Sequence, residues 1–206
     1  MRPGRLAGLV AALAALWLAM MVAGTGKLDH ALLRLLYSLD RPELRGFALV
    51  MSALGQWQVT VVLGLGVTAW LLYRRKIRSA LLLLAIILIG RGLVELQKIA
   101  IHRLRPEDTA QLVPVQSPAF PSGHAANSMI LLLALAVIAA PPKHRRSAVL
   151  GALFGSFLIG ISRPMLGVHW PSDVAGGWAF GALWVLSMLG LAERVGGSAS
   201  QEEREK

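Results

Sequence analysis

Cysteine is absent from the chain, which excludes disulfides, thiolate nucleophiles and cysteine-ligated metals. Charge is scarce as well: 16% of residues are Asp, Glu, Lys or Arg, against about a quarter in ordinary soluble domains. Acidic residues are the rarer sign, 11 against 21 basic ones, for a formal net charge of +10. Internal repeats and linker-like stretches are missing too, so nothing divides the 206 residues, and one domain over 1–206 is expected. What fills the chain is apolar: 55% hydrophobic residues and a mean hydropathy of +0.60. A soluble chain with this basic excess would point to nucleic acid. Here the bases sit mostly in short loops between apolar runs, which reads as membrane topology and anionic-lipid contact, with no nucleic-acid partner.

The apolar runs approach membrane-spanning length. Arg2 and Arg5 precede the first, Leu6 to Ala23, read as an uncleaved first helix although a signal peptide has the same pattern. Lys27 to Arg45 is amphipathic and expected at the interface. Phe47 to Tyr73 is interrupted by Gly55, Gln56 and Gln58, so its first part is expected to be broken or interfacial and the rest to span. Ser79–Leu96, Ala125–Ala140, Ser147–Ile161 and Asp173–Leu191 supply the remaining spans. The expectation is an all-α bundle of six transmembrane helices with a short interfacial helix. Gly196 to Lys206 reads as a flexible cytoplasmic tail. Arg74, Arg75, Lys76 and Arg78 crowd one loop, and Lys143, Arg145 and Arg146 another. The positive-inside bias places these loops and the N-terminus in the cytoplasm, and the loops after spans one, three and five outside.

Three polar clusters interrupt the apolar background, all in loops of the outward set. The first reads K-I-A-I-H-R-L-R-P from Lys98 to Pro106. Lys98 and Arg105 are seven residues apart, about two helical turns, so they are expected on one face of a helix that Pro106 ends. Two fixed cations make a phosphate clamp, although snorkelling bases on headgroups would look the same. The second, Pro121-Ser122-Gly123-His124, opens a span. Free amides and the positive end of a helix dipole form an anion site there, with His124 beside it; an ordinary Ser122 N-cap is the alternative. The third runs from Ser162 to Asp173 and contains Arg163, His169 and Asp173. His169 and Asp173 are one turn apart, and Pro171 between them suits a first helical turn. An Asp on one imidazole nitrogen fixes the tautomer and leaves the other free to attack. Arg91 and Glu95, at i,i+4 in the third span, are expected to pair and to brace the helix that carries Lys98.

Taken together the pattern is K-x6-R-P, P-S-G-H and S-R-x5-H-x3-D in order. It resembles the type 2 phosphatidic acid phosphatase superfamily, whose three signature motifs have this form. The resemblance implies a multi-span membrane phosphatase of the bacterial plasma membrane, working at its outer surface on a lipid phosphate or diphosphate. It implies His169 as nucleophile, Asp173 as its orienting partner and His124 as general acid. Lys98, Arg105, Arg163 and the Ser122 and Gly123 amides would hold the phosphoryl oxygens. Three cations would then do the work of a metal, so neither metal nor cofactor is expected. Undecaprenyl diphosphate is the first expectation for the lipid, phosphatidylglycerophosphate or phosphatidic acid the second. The rival of another class is a catalytically inactive lipid-binding or transport protein. Oligomeric state is not legible.

Overall fold

The computed structural model describes residues 3–202, and among them every regular element is helical. Helix α1 is Pro3–Ala23, α2 Lys27–Leu36, α3 Pro42–Leu54, α4 Trp57–Tyr73 and α5 Ile77–Ile101. Then come α6, Gly123–Ile138, a 3-10 turn at Pro142–His144, α7, Arg145–Met165, and α8, Pro171–Glu202. Among the described residues, four helices (α1, α5, α7 and α8) are long and apolar enough to cross a membrane; α3 and α4 qualify together, as a pair bent by 47°. Large apolar side chains such as Leu16, Val62, Ile89, Leu150 and Phe154 lie exposed on the bundle's flank, where lipid replaces water as solvent.

Several boundaries differ from those the sequence suggests. The amphipathic stretch Lys27–Arg45 is two elements, because the chain turns extended at Tyr37 and Pro42 starts a fresh helix. The break after Leu54 falls at Gly55 and Gln56, within the expected interruption. Both α5 and α7 run further than their apolar cores, taking Lys98 and Arg163 inside the helices. Helix α8 continues to Glu202, through most of the segment expected as a tail; residues 203–206 lie outside the described residues.

Helix α6 is the hub, packed by α4, α5, α7 and α8. It is apolar apart from His124, Asn127 and Ser128 near its start, and it buries Ala125 to Leu131 without interruption. At 16 residues it is about 24 Å long. Helices in lipid gain little from hydrophobic transfer, so small residues and close approach hold them together. Gly177 and Gly181 on α8 supply that approach. A Cβ at Gly177 would stand 2.8 Å from the Ser122 carbonyl, and one at Gly181 2.9 Å from that of Ala126. The main core combines Leu83, Ile86 and Val94 of α5 with Met129, Ile130 and Leu133 of α6 and Phe180 and Val185 of α8.

Candidate active site

Alternating helix directions bring the C-terminal ends of α5 and α7 beside the N-terminal ends of α6 and α8. All three motifs therefore meet at one end of the bundle. The loop 102–122 lies over that end, tied down by Leu112 N–H to the Leu166 carbonyl (3.0 Å) and by the Tyr37 hydroxyl to the Ala110 carbonyl (2.8 Å). A loop this long inside a compact bundle is usually functional. Beneath it is a cavity of about 140 Å³, lined by Lys98, Arg105, Gly123, His124, Arg163 and His169 among others.

Asp173 sits in the first turn of α8, fully buried, and holds the His169 ring. His169 Nδ1 lies 3.3 Å from Asp173 Oδ2, and Arg105 Nη1 lies 3.2 Å from His169 Nε2. An arginine can only donate, so Nε2 is the acceptor and Nδ1 carries the proton that faces Asp173. The ring's lone pair is therefore at Nε2, at the wall of the cavity, where Arg105 donates to it. Burial first, and then the cations Arg105, Lys98 and Arg163, push His169 well below the ordinary imidazole value of 6.5. Both effects disfavour the imidazolium and keep the ring neutral. Burial also draws Arg105 below the usual arginine range, with the Asp173 carboxylate opposing.

The cations are pre-positioned by their neighbours. Lys98 Nζ donates to the Pro118 carbonyl at 2.7 Å. Arg105 donates to the Ser117 carbonyl at 2.8 Å and to the Val168 carbonyl. Arg163 donates from Nη1 to Ser52 Oγ on α3. Arg163 Nε and Ser122 Oγ are buried with no hydrogen-bond partner among the described residues. Such orphans cost about 1–3 kcal/mol each unless something pairs with them; of the two residues only Arg163 lines the cavity, where a phosphoryl group could meet it.

Two expectations need correction. Lys98 and Arg105 do not share a helical face. His102 adopts a left-handed conformation (φ 52°) that ends α5 before Pro106 can, and the chain turns back to bring Arg105 over the cavity. The Ser122 amide is not free for an anion, because it donates to the Asp173 carbonyl at 3.0 Å, nor does the Ser122 side chain cap α6. That amide joins the two helix starts instead.

Arg103 was passed over in the sequence reading, hidden between the two motif cations. Its Nη1 donates to Asp173 Oδ1 at 2.9 Å, and its Nη2 to the Met20 and Met21 carbonyls in the last turn of α1. The guanidinium also lies over Phe120, 4.4 Å from the ring centroid. It thus caps α1 and clamps Asp173 with one rigid fork. Asp29 on α2 was missed too: it accepts from the Ser172 amide at 2.8 Å and the Thr25 amide at 2.7 Å. Nothing in the sequence couples positions 143 apart. Arg91 and Glu95 do approach one another, at 3.7 Å, but both line the cavity, which the bracing reading did not anticipate.

Comparison with known proteins is consistent across sequence and structure. The PAP2 superfamily model matches residues 79–195. Phosphatidylglycerophosphatase B of Bacillus subtilis is 31% identical over 172 residues, covering 81% of this chain and 84% of that protein. Undecaprenyl-diphosphatase of Sulfolobus acidocaldarius is 30% identical over 148 residues, covering 69% and 67%. A crystal structure of a transmembrane PAP2-type phosphatidylglycerolphosphate phosphatase from Bacillus subtilis superposes with a TM-score of 0.82 at 28% identity, over 90% of this chain and 96% of that one.

Proposed function

The chain belongs to the PAP2 superfamily and is a membrane lipid phosphatase of that family; from that premise we propose that it works through a phosphohistidine on His169, without a metal. The observation that carries the proposal is the His169 ring, protonated toward Asp173 and offering Nε2 to a cavity rimmed by Lys98, Arg105 and Arg163. In the first step the Nε2 lone pair forms an N–P bond while the bond from phosphorus to the lipid oxygen breaks. His124 gives its proton to that oxygen. In the second step His124 takes a proton from water, the water oxygen bonds to phosphorus, and the N–P bond breaks to release inorganic phosphate. Phosphoryl transfer needs chiefly positioning and charge stabilisation, which fixed cations provide. Asp173 is occupied by Arg103, His169 and the Trp170 amide, leaving Glu95 as the one carboxylate of the cavity lining. One carboxylate is a poor seat for Mg²⁺.

The six-span reading counts α1, the bent α3–α4 pair, α5, α6, α7 and α8, with the site outward and α2 at the interface. Phosphatidylglycerophosphate is the favoured lipid, supported by the Bacillus relative and the Bacillus structure. Undecaprenyl diphosphate, the first expectation from sequence, is supported by the Sulfolobus relative. The test is phosphate release from a panel of lipid phosphates by purified protein in excess EDTA. It is coupled to trapping of an acid-labile, alkali-stable phosphoprotein that His169→Ala abolishes. Activity that disappears in EDTA and returns with Mg²⁺ would overturn the metal-free mechanism.

A further inference from the structure

We propose that the Trp57–Arg91–Glu95 end of the active-site cavity binds the second phosphate of a lipid that carries two, the one retained after cleavage. The inference rests on the phosphatase reading above and extends it to substrate class.

Arg91, Glu95 and Lys98 occupy one stripe of α5, at i, i+4 and i+7. Arg91 lies two turns, roughly 10 Å, along the helix from Lys98. The three line one cavity with His124 and His169. Arg91 and Glu95 are also the only charges between Arg78 and Lys98, inside a long apolar helix. A charge at that depth is costly, and a functional role is the default reading.

Bracing does not account for it. Their separation of 3.7 Å describes a loose i,i+4 pair, longer than a hydrogen bond. Trp57 holds the guanidinium instead, its ring centroid 4.7 Å away. Stacking fixes the plane of an arginine and leaves its N–H edge for a planar or tetrahedral anion. Lys98, Arg105 and Arg163, by contrast, stand around His169, where the phosphate to be cleaved would lie.

The direction is right for a leaving group. In-line displacement by His169 places the departing oxygen on the far side of phosphorus, toward His124. From His124 the lining continues through Gly55, which packs against that ring, to Trp57, which is half exposed on the flank of the bundle. Phosphatidic acid would send only an acylated glycerol along this path. A diphosphate or a glycerol-bridged bisphosphate would send a second anion past Arg91. The two-turn separation suits a spacer between the phosphates, and Glu95 suits a hydroxyl on that spacer.

Purified wild-type protein, Arg91→Ala and Arg91→Lys are assayed in mixed micelles on phosphatidylglycerophosphate, a polyprenyl diphosphate and phosphatidic acid. Removing one charge-assisted contact should cut kcat/KM for a two-phosphate lipid relative to phosphatidic acid by about tenfold. The loss should lie mainly in KM, with Arg91→Lys restoring part of it. A loss confined to the glycerol-bridged lipid also supports the pocket and its spacing, whereas a loss confined to the diphosphate, which has no spacer, overturns it. A purely structural Arg91 predicts equal losses on all three lipids, and that result, or an unchanged ratio, overturns the inference alone. Wild-type protein that releases phosphate from none of the lipids overturns the phosphatase reading and this inference with it. Should Arg91→Ala fail to fold, Arg91→Gln and Trp57→Leu are read by the same ratio against the same criterion.

Discussion

The chemistry proposed here depends on one imidazole ring whose two nitrogens have different partners. His169→Ala should abolish phosphate release, by three orders of magnitude or more, while the protein keeps its Tm. Asp173→Asn should cost about two to four orders, because an amide can present its N–H to Nδ1 and stabilise the wrong tautomer. Normal turnover by purified His169→Ala would remove the nucleophile assignment, and normal turnover by Asp173→Asn the tautomer role. The pH profile offers an independent reading. A depressed His169 stays neutral, and so able to attack, as pH falls through 6.5 and well below it. Burial is the larger cause and the Arg105 charge the next. Arg105→Gln should therefore move the acid limb of kcat/KM to higher pH, without returning it to the ordinary imidazole value. The same lipid is used for both proteins, so titration of its phosphate cancels. Identical acid limbs would show that the arginine does not set the protonation of the ring.

Between elements, the site is held by contacts at helix ends. Gly177 lets α8 approach the start of α6, where the Ser122 amide meets the Asp173 carbonyl. Gly177→Val would drive a side chain into the Ser122 carbonyl and the Ala125 methyl. Overpacking of this kind costs about 1–3 kcal/mol. We expect a lower Tm in detergent and a kcat reduced through separation of His124 from His169, with KM changed less. The second tie is Asp29. This carboxylate accepts two amides and the Ser172 hydroxyl, locking α2 to the first turn of α8. Asp29→Ala would strand buried donors at about 1–3 kcal/mol, so thermal unfolding followed by circular dichroism should show a clear fall in Tm. An unchanged Tm would mean that α2 is not part of the cooperative bundle. Arg103 acts at the same scale, joining α1 to Asp173 through a single guanidinium.

For the molecule as a whole, the outward orientation of the site is the expectation to test. Loop 102–122 covers one end of the bundle, while the basic turn between α6 and α7 lies at the other. The chain has no cysteine, so single cysteines report cleanly. Gln111 and Ser147 are both exposed, one at each end. In intact cells a membrane-impermeant maleimide should label Gln111→Cys, and should label Ser147→Cys only after the cells are opened. The reverse pattern would put the chemistry in the cytoplasm and remove the case for an outer-leaflet lipid.

Much of this protein was legible without coordinates because its signals are local. Apolar runs locate membrane helices, since a bilayer demands internal satisfaction of every backbone group and so tolerates little else. The spacing of His169 and Asp173 reads as one helical turn because that geometry is fixed by the backbone, and Pro171 marks where the turn begins. Recognition of the three motifs needed only their residues and order. Other features depended on where the chain turns and on what it meets far away in sequence. Lys98 and Arg105 converge through the left-handed His102, a conformation no spacing rule anticipates. The Ser122 amide was lost to Asp173 because two helix starts abut through Gly177. Arg103 and Arg105 are chemically alike and two residues apart, and only the packed end of α1 decides that the first clamps Asp173 while the second faces His169. Arg91 and Glu95 looked like a self-contained pair until the bend at Gly55 brought Trp57 and the cavity to them. Local periodicity and motif order belong to the sequence; the partner of each charge belongs to the fold, because in a low-dielectric interior every buried donor takes the acceptor that packing brings within reach.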